Sequence, residues 1–189
     1  MGMNTTNLDV KMLGRGSYGC VVDKSIKCQD GRKITGSIGK LLLHRTDVIE
    51  EVKMTMLVNT LSNKTAIPIK GVCVVQPSKT IKTTCGFSES DDELYQIVYE
   101  DIGISLADLH EIEGFSFEHV ITMFKTLCDG VKLLREYGIL HFDIKPDNIL
   151  YIPKKQLAIL IDFGMTRMSD PKEVFHPDNI GILHHRYFP

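Results

Sequence analysis

The sequence predicts an α+β chain in two parts, a strand-rich first part carrying one helix and a mainly helical second part. Three observations point there. Short β-branched runs bounded by glycine and polar turns fill the first third. One window, 47–61, switches to helical spacing. After Gly103 the apolar residues step by three and four between good helix caps.

The elements follow in order. Val21-Val22 and Ile26 read as strand residues, and Asp30-Gly31 is a hairpin-turn signal between two strand candidates. In "DVIEEVKMTMLVNTL" (47–61), Met54, Leu57 and Leu61 recur on one helix face. "GVCVV" (71–75) and "LYQIVYE" (94–100) read as strands. The polar stretch joining them, "QPSKTIKTTCGFSESDD", is long for a compact domain and is expected to be a mobile loop. Ser105 is a good N-cap for a short helix, "LADLHEI", and Ser116 for a longer one over 117–137, with Glu118 in its first turn. Val120, Phe124, Leu127, Val131 and Leu134 form its expected buried stripe, and Arg135 and Gly138 end it. Two short strands, "ILYI" and "LAILI", come next. A boundary is expected at Ile102–Ser105, dividing 1–102 from 103–189, with a cleft between two lobes.

Composition narrows the function classes. The residues are 43% hydrophobic and 24% charged, enough for one sizeable core or two small ones. A net charge of -2 with no basic run gives no support to a nucleic-acid partner. No apolar run approaches the roughly 20 residues that span a bilayer. The one membrane signal is a loose N-myristoylation pattern at Gly2 in "MGMNTT", for which a disordered start is the plainer reading. Five cysteines, an odd count without zinc-type spacing or a signal peptide, are expected to be reduced thiols of an intracellular, cytoplasmic protein.

Two stretches carry chemistry. "GRGSYGCVV" sets Gly14, Gly16, Gly19 and Val21 in a G-x-G-x-x-G-x-V pattern, which lets backbone N–H groups approach phosphate oxygens. It leads into β-branched residues, so a strand–turn–strand flap fits better than the helix opening of a dinucleotide fold. "HFDIKPDNIL" (141–150) places Asp143, Lys145 and Asn148 in fixed register, and Asp162-Phe163-Gly164 follows nineteen residues after Asp143. Asn148 and Asp162 offer oxygen ligands suited to Mg²⁺, Asp143 an acid to orient a hydroxyl, and Lys145 positive charge for a phosphoryl group. The structural alternative is a polar turn followed by an unrelated Asp-Gly turn.

On these motifs the chain resembles the eukaryotic-type protein kinases. "HFDIKPDN" matches H-R-D-L-K-x-x-N except at the arginine, "DFG" matches unchanged, and "GRGSYGCV" matches the Gly-rich loop; the likeness runs from about Gly14 to Pro189. The resemblance implies a bilobal fold, with an antiparallel-sheet lobe over 1–102 and a partial helical lobe over 103–189. It also implies an ATP- and Mg²⁺-dependent Ser/Thr kinase acting on protein hydroxyls, with Asp143 as base and Asn148 and Asp162 as metal ligands. Lys145 matches the Ser/Thr class. Lys40 in "SIGKLL" takes the place of the nucleotide-pairing lysine, with Lys33 as alternative. Its partner acid is Glu50 or Glu51, with Glu51 favoured. Tyr99 becomes the gatekeeper, Glu100 and Ile102 the hinge groups meeting adenine, Val21 and Ile38 the roof of the slot, and Leu150 its floor.

The chain also departs from the family. Phe142 replaces the arginine that pairs with a phosphorylated activation segment, which implies a site ordered without that modification. The sequence stops near the A-P-E region, so a fragment of a longer kinase is expected, or else a minimal one whose exposed helix a partner covers. The style of the motifs is similar to divergent kinases of large DNA viruses, which would place the protein in a host cell. The rival reading is an inactive, nucleotide-binding scaffold acting through protein contacts; Lys145 argues against a small-molecule phosphotransferase.

Overall fold

The computed structural model describes residues 10–16, 19–36, 38–100, 103–111 and 115–169. The chain divides into two compact units, Met1–Ile49 with Ile69–Asp101, and Glu50–Pro68 with Ile102–Pro189.

The first unit is an antiparallel sheet of β1 (Met12–Arg15), β2 (Gly19–Val22), β3 (Ile38–Leu42), β4 (Ile69–Val75) and β5 (Leu94–Tyr99), in the order β1-β2-β3-β5-β4. Period-two alternation turns Cys20 and Val22 of β2 fully inward, and Leu41, Cys73, Val75 and Leu94 join them in one apolar core with Ile26 and Ile81. The sheet leaves no room at two glycines. A Cβ on Gly19 would run into the carbonyl oxygen of Leu41, and one on Gly39 would lie 2.7 Å from Gln96 Oε1. That space matters because Gln96 is fully buried. Its Oε1 accepts from the Ile26 N–H at 2.7 Å and its Nε2 donates to the Ile26 carbonyl at 2.9 Å. One side-chain amide thus satisfies both backbone groups of a core residue that belongs to no strand.

This explains the fate of the expected hairpin at Asp30-Gly31. The turn forms, with Gly31 at φ +86° and Cys28 N–H donating to the Arg32 carbonyl at 2.9 Å. Strands do not flank it, because the flanking backbone is bonded elsewhere: Ile26 to Gln96, and Gln29 N–H to the Val74 carbonyl at 2.8 Å.

The stretch expected to be a mobile loop contains helix α2 (Lys79–Cys85). Ser78 caps it by accepting from the Ile81 N–H at 3.3 Å. Gly86 ends it at φ +67°, where Phe87 N–H reaches back to the Lys82 carbonyl at 2.9 Å. Ile81 and Cys85 of α2 are buried against the sheet. A second correction concerns the cysteines. Four of the five are paired, Cys20 with Cys85 and Cys28 with Cys73, leaving Cys128 free and exposed. The partners lie 65 and 45 residues apart, and the fold, which packs α2 on the sheet and the turn at Cys28 beside β4, brings their Cα atoms to 5.5 and 5.7 Å. Closing loops of that size destabilises the unfolded chain through lost conformational entropy, by about 4 kcal/mol at 25 °C for each bridge.

Helix α1 (Arg45–Leu61) begins in the first unit and continues in the second. The sequence placed residues 50–68 in the first part; they cluster with the second, because Val58 is buried in a core with Leu134, Tyr151, Leu160 and Phe163. Other elements of this unit include β6 (Ile104–Ser105), a 3-10 turn over Leu106–Glu111, α3 (Phe117–Glu136), β7 (Ile139–Leu140), β8 (Ile149–Ile152), β9 (Leu157–Leu160) and β10 (Arg167–Met168). Strands β6, β8 and β9 form one sheet, and β7 pairs with β10. Ser105 accepts from the Ala107 N–H at 3.2 Å, as its N-cap position predicts. Gly138, at φ +67°, terminates α3 as expected. The buried face of α3 differs from the expected stripe. Met123 and Leu134 are buried and Leu127 packs on the core, whereas Phe124 is 58% and Val131 36% exposed. Thr126 fixes the rotation: its hydroxyl accepts from the Ala158 N–H at 2.9 Å and so docks the 123–126–134 side onto β9.

Candidate active site

Strands β7 and β8 bracket the loop 141–148, and β10 returns to β7 so that residues on both sides of Asp162 are tied to the same frame. Within the loop, Pro146–Asn148 form a single 3-10 turn with proline in its first position, where its missing N–H costs nothing.

Three polar side chains meet there. Lys145 Nζ donates to Asp143 Oδ2 at 2.9 Å. Asn148 Nδ2 donates to the same oxygen at 2.7 Å and to the Asp143 carbonyl at 2.9 Å. With its amide nitrogen committed to Asp143, Asn148 turns its oxygen the other way. Asn148 is buried, the Asp143 side chain 19% exposed and that of Lys145 half exposed. The hydrogen bond from Lys145 to Asp143 holds the lysine's pKa above its ordinary value; burial opposes this, and the charges of Asp143, Asp162 and Asp147 add to it. Both sequence-predicted carboxylates, 143 and 162, therefore act on one ammonium group.

The link to Asp162 runs through the backbone. Ile161 N–H donates to the Asn148 carbonyl at 3.0 Å, and the Ile161 carbonyl meets His141 Nε2 at 3.0 Å. His141 Nδ1 accepts from the Asp143 N–H at 3.3 Å. One imidazole thus joins the two acid-bearing segments, with its ring tilted against Phe163 at 4.8 Å. Sequence reasoning gave His141 no role; the available signal was a histidine at the start of the loop, directly after an apolar strand. Asp162 stands in the left-handed region at φ 61°, and its Oδ1 accepts from the Gly164 N–H at 3.4 Å. Phe142 is also left-handed, at φ 63°, a conformation costing a bulky residue about 1–2 kcal/mol.

Burial lowers the pKa of His141, against raising contributions from its bond to Ile161 and from Asp162 and Asp143. Its folded value is below the ordinary 6.5, so the unfolded chain takes up the proton first as the medium is acidified. Its contribution to stability is complete above pH 6.5 and is lost as pH falls through the lowered folded value. Urea midpoints measured above and below pH 6.5 should show this slope in the wild type and lose it in His141→Asn.

The two positions left open by the sequence separate by burial. Lys40 is 8% exposed on β3, paired in register with Val21 and Ile97, while Lys33 is exposed outside any strand. Glu51 is 2% exposed and its Oε2 lies 3.6 Å from where a Cβ on Gly164 would stand; Glu50 is exposed. Among the other expected nucleotide residues, Cβ atoms on Gly14 and Gly16 would meet open space, and Gly16 N–H donates to the Gly19 carbonyl at 2.9 Å. Ile38 pairs with the buried Tyr99, and Val21 is half-buried. Glu100 makes an exposed ion pair with Lys70 at 3.2 Å, and Leu150 is buried on β8. Ile102 and Gly2 lie outside the described residues.

The comparisons with known proteins agree with these motifs. The protein kinase domain profile matches residues 8–177. The chain belongs to the protein kinase domain family. Relatives of this kinase-family chain include mitogen-activated protein kinase 4 of Oryza sativa subsp. japonica, 27% identical over 177 residues, covering 92% of this chain and 44% of that protein. Mitogen-activated protein kinase homolog 1 of Petunia hybrida is 28% identical over 178 residues, covering 92% and 42%. Serine/threonine-protein kinase D of Synechocystis is 35% identical over 81 residues, covering 43% and 15%. The chain spans less than half the length of the mitogen-activated protein kinases it matches.

Proposed function

We propose that this chain transfers the γ-phosphoryl group of ATP to serine or threonine hydroxyls of proteins. One observation carries the reading: Asp143 is held by Lys145 and Asn148 through a single carboxylate oxygen, leaving its second oxygen for an incoming hydroxyl. Asp143 orients that hydroxyl and takes its proton as the oxygen–phosphorus bond forms. Lys145, protonated at neutral pH, with its pKa held above the ordinary value first by its hydrogen bond to Asp143, balances charge on the transferring group.

The donor set fits Mg²⁺. Among the described residues no group of three or more His, Cys, Asp or Glu comes together, as an all-protein metal cage would require. Asn148 and Asp162 supply two oxygens, the small protein share typical of a hard cation that also takes phosphate oxygens. When bound, the ion neutralises charge on the phosphates. Lys40, Gly14, Gly16, Gly19, Val21, Ile38, Tyr99, Glu100, Ile102 and Leu150 are assigned to the nucleotide, and Glu51 takes the role of the acid of the first helix. These assignments rest on the family resemblance, supported by the burial of Lys40 and Glu51.

The test is transfer of labelled γ-phosphoryl from ATP to a generic basic protein, with and without Mg²⁺. Magnesium-dependent labelling of serine and threonine supports the proposal. Nucleotide binding without transfer gives the scaffold reading instead. Phe142, which cannot make the ionic contacts of an arginine, implies activity without phosphorylation of the activation segment. Thr166 and Ser169 are the only serine or threonine residues after Gly164 in this sequence, and Thr166 is 4% exposed with its hydroxyl unpartnered among the described residues. Thr166→Ala and Ser169→Ala should keep most of the activity in the same assay; its abolition in both would contradict this.

A further inference from the structure

The hairpin β1–β2 carries the Gly-rich pattern, and its own packing is thin. β1 is an edge strand with Met12 39% and Leu13 50% exposed, so its ladder to β2 does most of the holding. A second attachment comes from the segment between β4 and β5. Cys85, the last residue of α2, is bonded to Cys20, the second residue of β2. Beside it, the Arg15 guanidinium lies on the cap of α2, with Nη2 donating weakly to the Gly86 carbonyl at 3.4 Å. A Cβ on Gly86 would stand 2.5 Å from Arg15 Cζ, so this seating needs glycine there. Arg15 itself falls between Gly14 and Gly16. Both edges of the Gly-rich turn are therefore fastened to one helix, one covalently and one by contact. The other bridge, Cys28–Cys73, ties the 23–37 segment to β4 and leaves the hairpin untouched.

We propose that α2 is a strap that positions the Gly-rich hairpin, with the Cys20–Cys85 disulfide as its redox latch and Arg15 as a positioning residue. With Cys20 and Cys85 both buried, closing the latch is thiol–disulfide exchange with a low-molecular-weight disulfide that reaches them while the thinly packed hairpin is transiently open. One cysteine thiolate attacks it to give a mixed disulfide and releases the first thiol. The second cysteine thiolate then displaces the other thiol and completes the Cys20–Cys85 bond. Two protein thiols are oxidised and one small disulfide is reduced to two thiols; a dithiol reverses the sequence. Closed, the latch removes freedom the hairpin would otherwise lose on binding a nucleotide, so the open form binds more weakly. The consequence for affinity rests on the nucleotide reading above; the consequence for hairpin motion does not.

The experiment uses the whole chain in three forms: as purified without reductant, reduced with a dithiol, and as Cys85→Ser. Alkylation and mass mapping report the thiols, amide exchange reports residues 12–22, and a fluorescent ATP analogue with Mg²⁺ reports binding. Mapping should find Cys20 joined to Cys85. Opening the bridge should speed exchange in 12–22 by about tenfold or more while 94–99 stay protected. The analogue should bind about tenfold more weakly, with KM for ATP rising and kcat little changed, and Arg15→Gln should shift KM in the same direction. Five free thiols in the purified chain, or equal exchange in the open and closed forms, would overturn the latch. Loss of nucleotide binding in every form would overturn the nucleotide reading alone, since exchange still decides the strap. If Cys85→Ser does not fold, the reduced wild type supplies the comparison, with exchange in 26–34 reporting the second bridge separately.

Discussion

Asp143→Asn should lower the rate of phosphoryl transfer by about 10²–10⁴-fold while leaving the fold and nucleotide binding nearly unchanged. The reasoning is local. An asparagine keeps an oxygen to accept from Asn148 Nδ2, which now donates to Asp143 Oδ2 at 2.7 Å, so the 141–148 loop retains its geometry. What it lacks is the negative charge that takes up a proton and pairs with Lys145 at 2.9 Å. The hydrogen bond to Asp143 is the largest influence raising the Lys145 pKa, so that elevation should shrink in the variant. Single-turnover labelling of a basic protein, with nucleotide affinity measured in parallel, checks both halves. Unchanged turnover would remove Asp143 from the chemistry.

Phe163→Ala should destabilise the second unit by about 3–5 kcal/mol, the usual cost of emptying a large aromatic site. Phe163 is 1% exposed in the core that also holds Val58, Met123, Leu134 and Tyr151, and its ring lies 4.8 Å from that of His141. A loss of that size is a large share of the 5–15 kcal/mol available to an ordinary domain. Denaturant unfolding followed by circular dichroism should show the midpoint falling sharply, with Phe163→Leu intermediate. An unmoved midpoint would mean that Phe163 is not the packing anchor between the acid at 162 and the core.

The candidate site was legible in sequence because its chemistry demands residue types at short, fixed spacings. Asp143, Lys145 and Asn148 fall within one turn of chain, and the structure joins them directly. The elements were legible where periodicity is local: α1, β4, β5, β8 and β9 stand where the apolar pattern put them. What escaped was decided by distant partners. Cys20 and Cys85 meet only because α2 packs against the sheet. α2 looked like loop because its polar sequence buries just Ile81 and Cys85. On α3 the sequence reading followed the stripe through Phe124 and Val131, and a threonine bond to β9 instead turned the face holding Met123 inward. Glu50 and Glu51 were nearly balanced in pattern, with Glu51 favoured, and Glu51 is the one turned inward toward Gly164.

The glycine at 19 has a meaning of its own. Because the neighbouring strand's Leu41 oxygen already occupies the space any larger residue would need, that position is closed on architectural grounds alone. A relative that bound no nucleotide at all would still be obliged to keep it. Gly14 and Gly16, facing open space, are under no such obligation. Across a set of related chains, drift at 14 and 16 alongside constancy at 19 would therefore be the mark of a pseudoenzyme lineage.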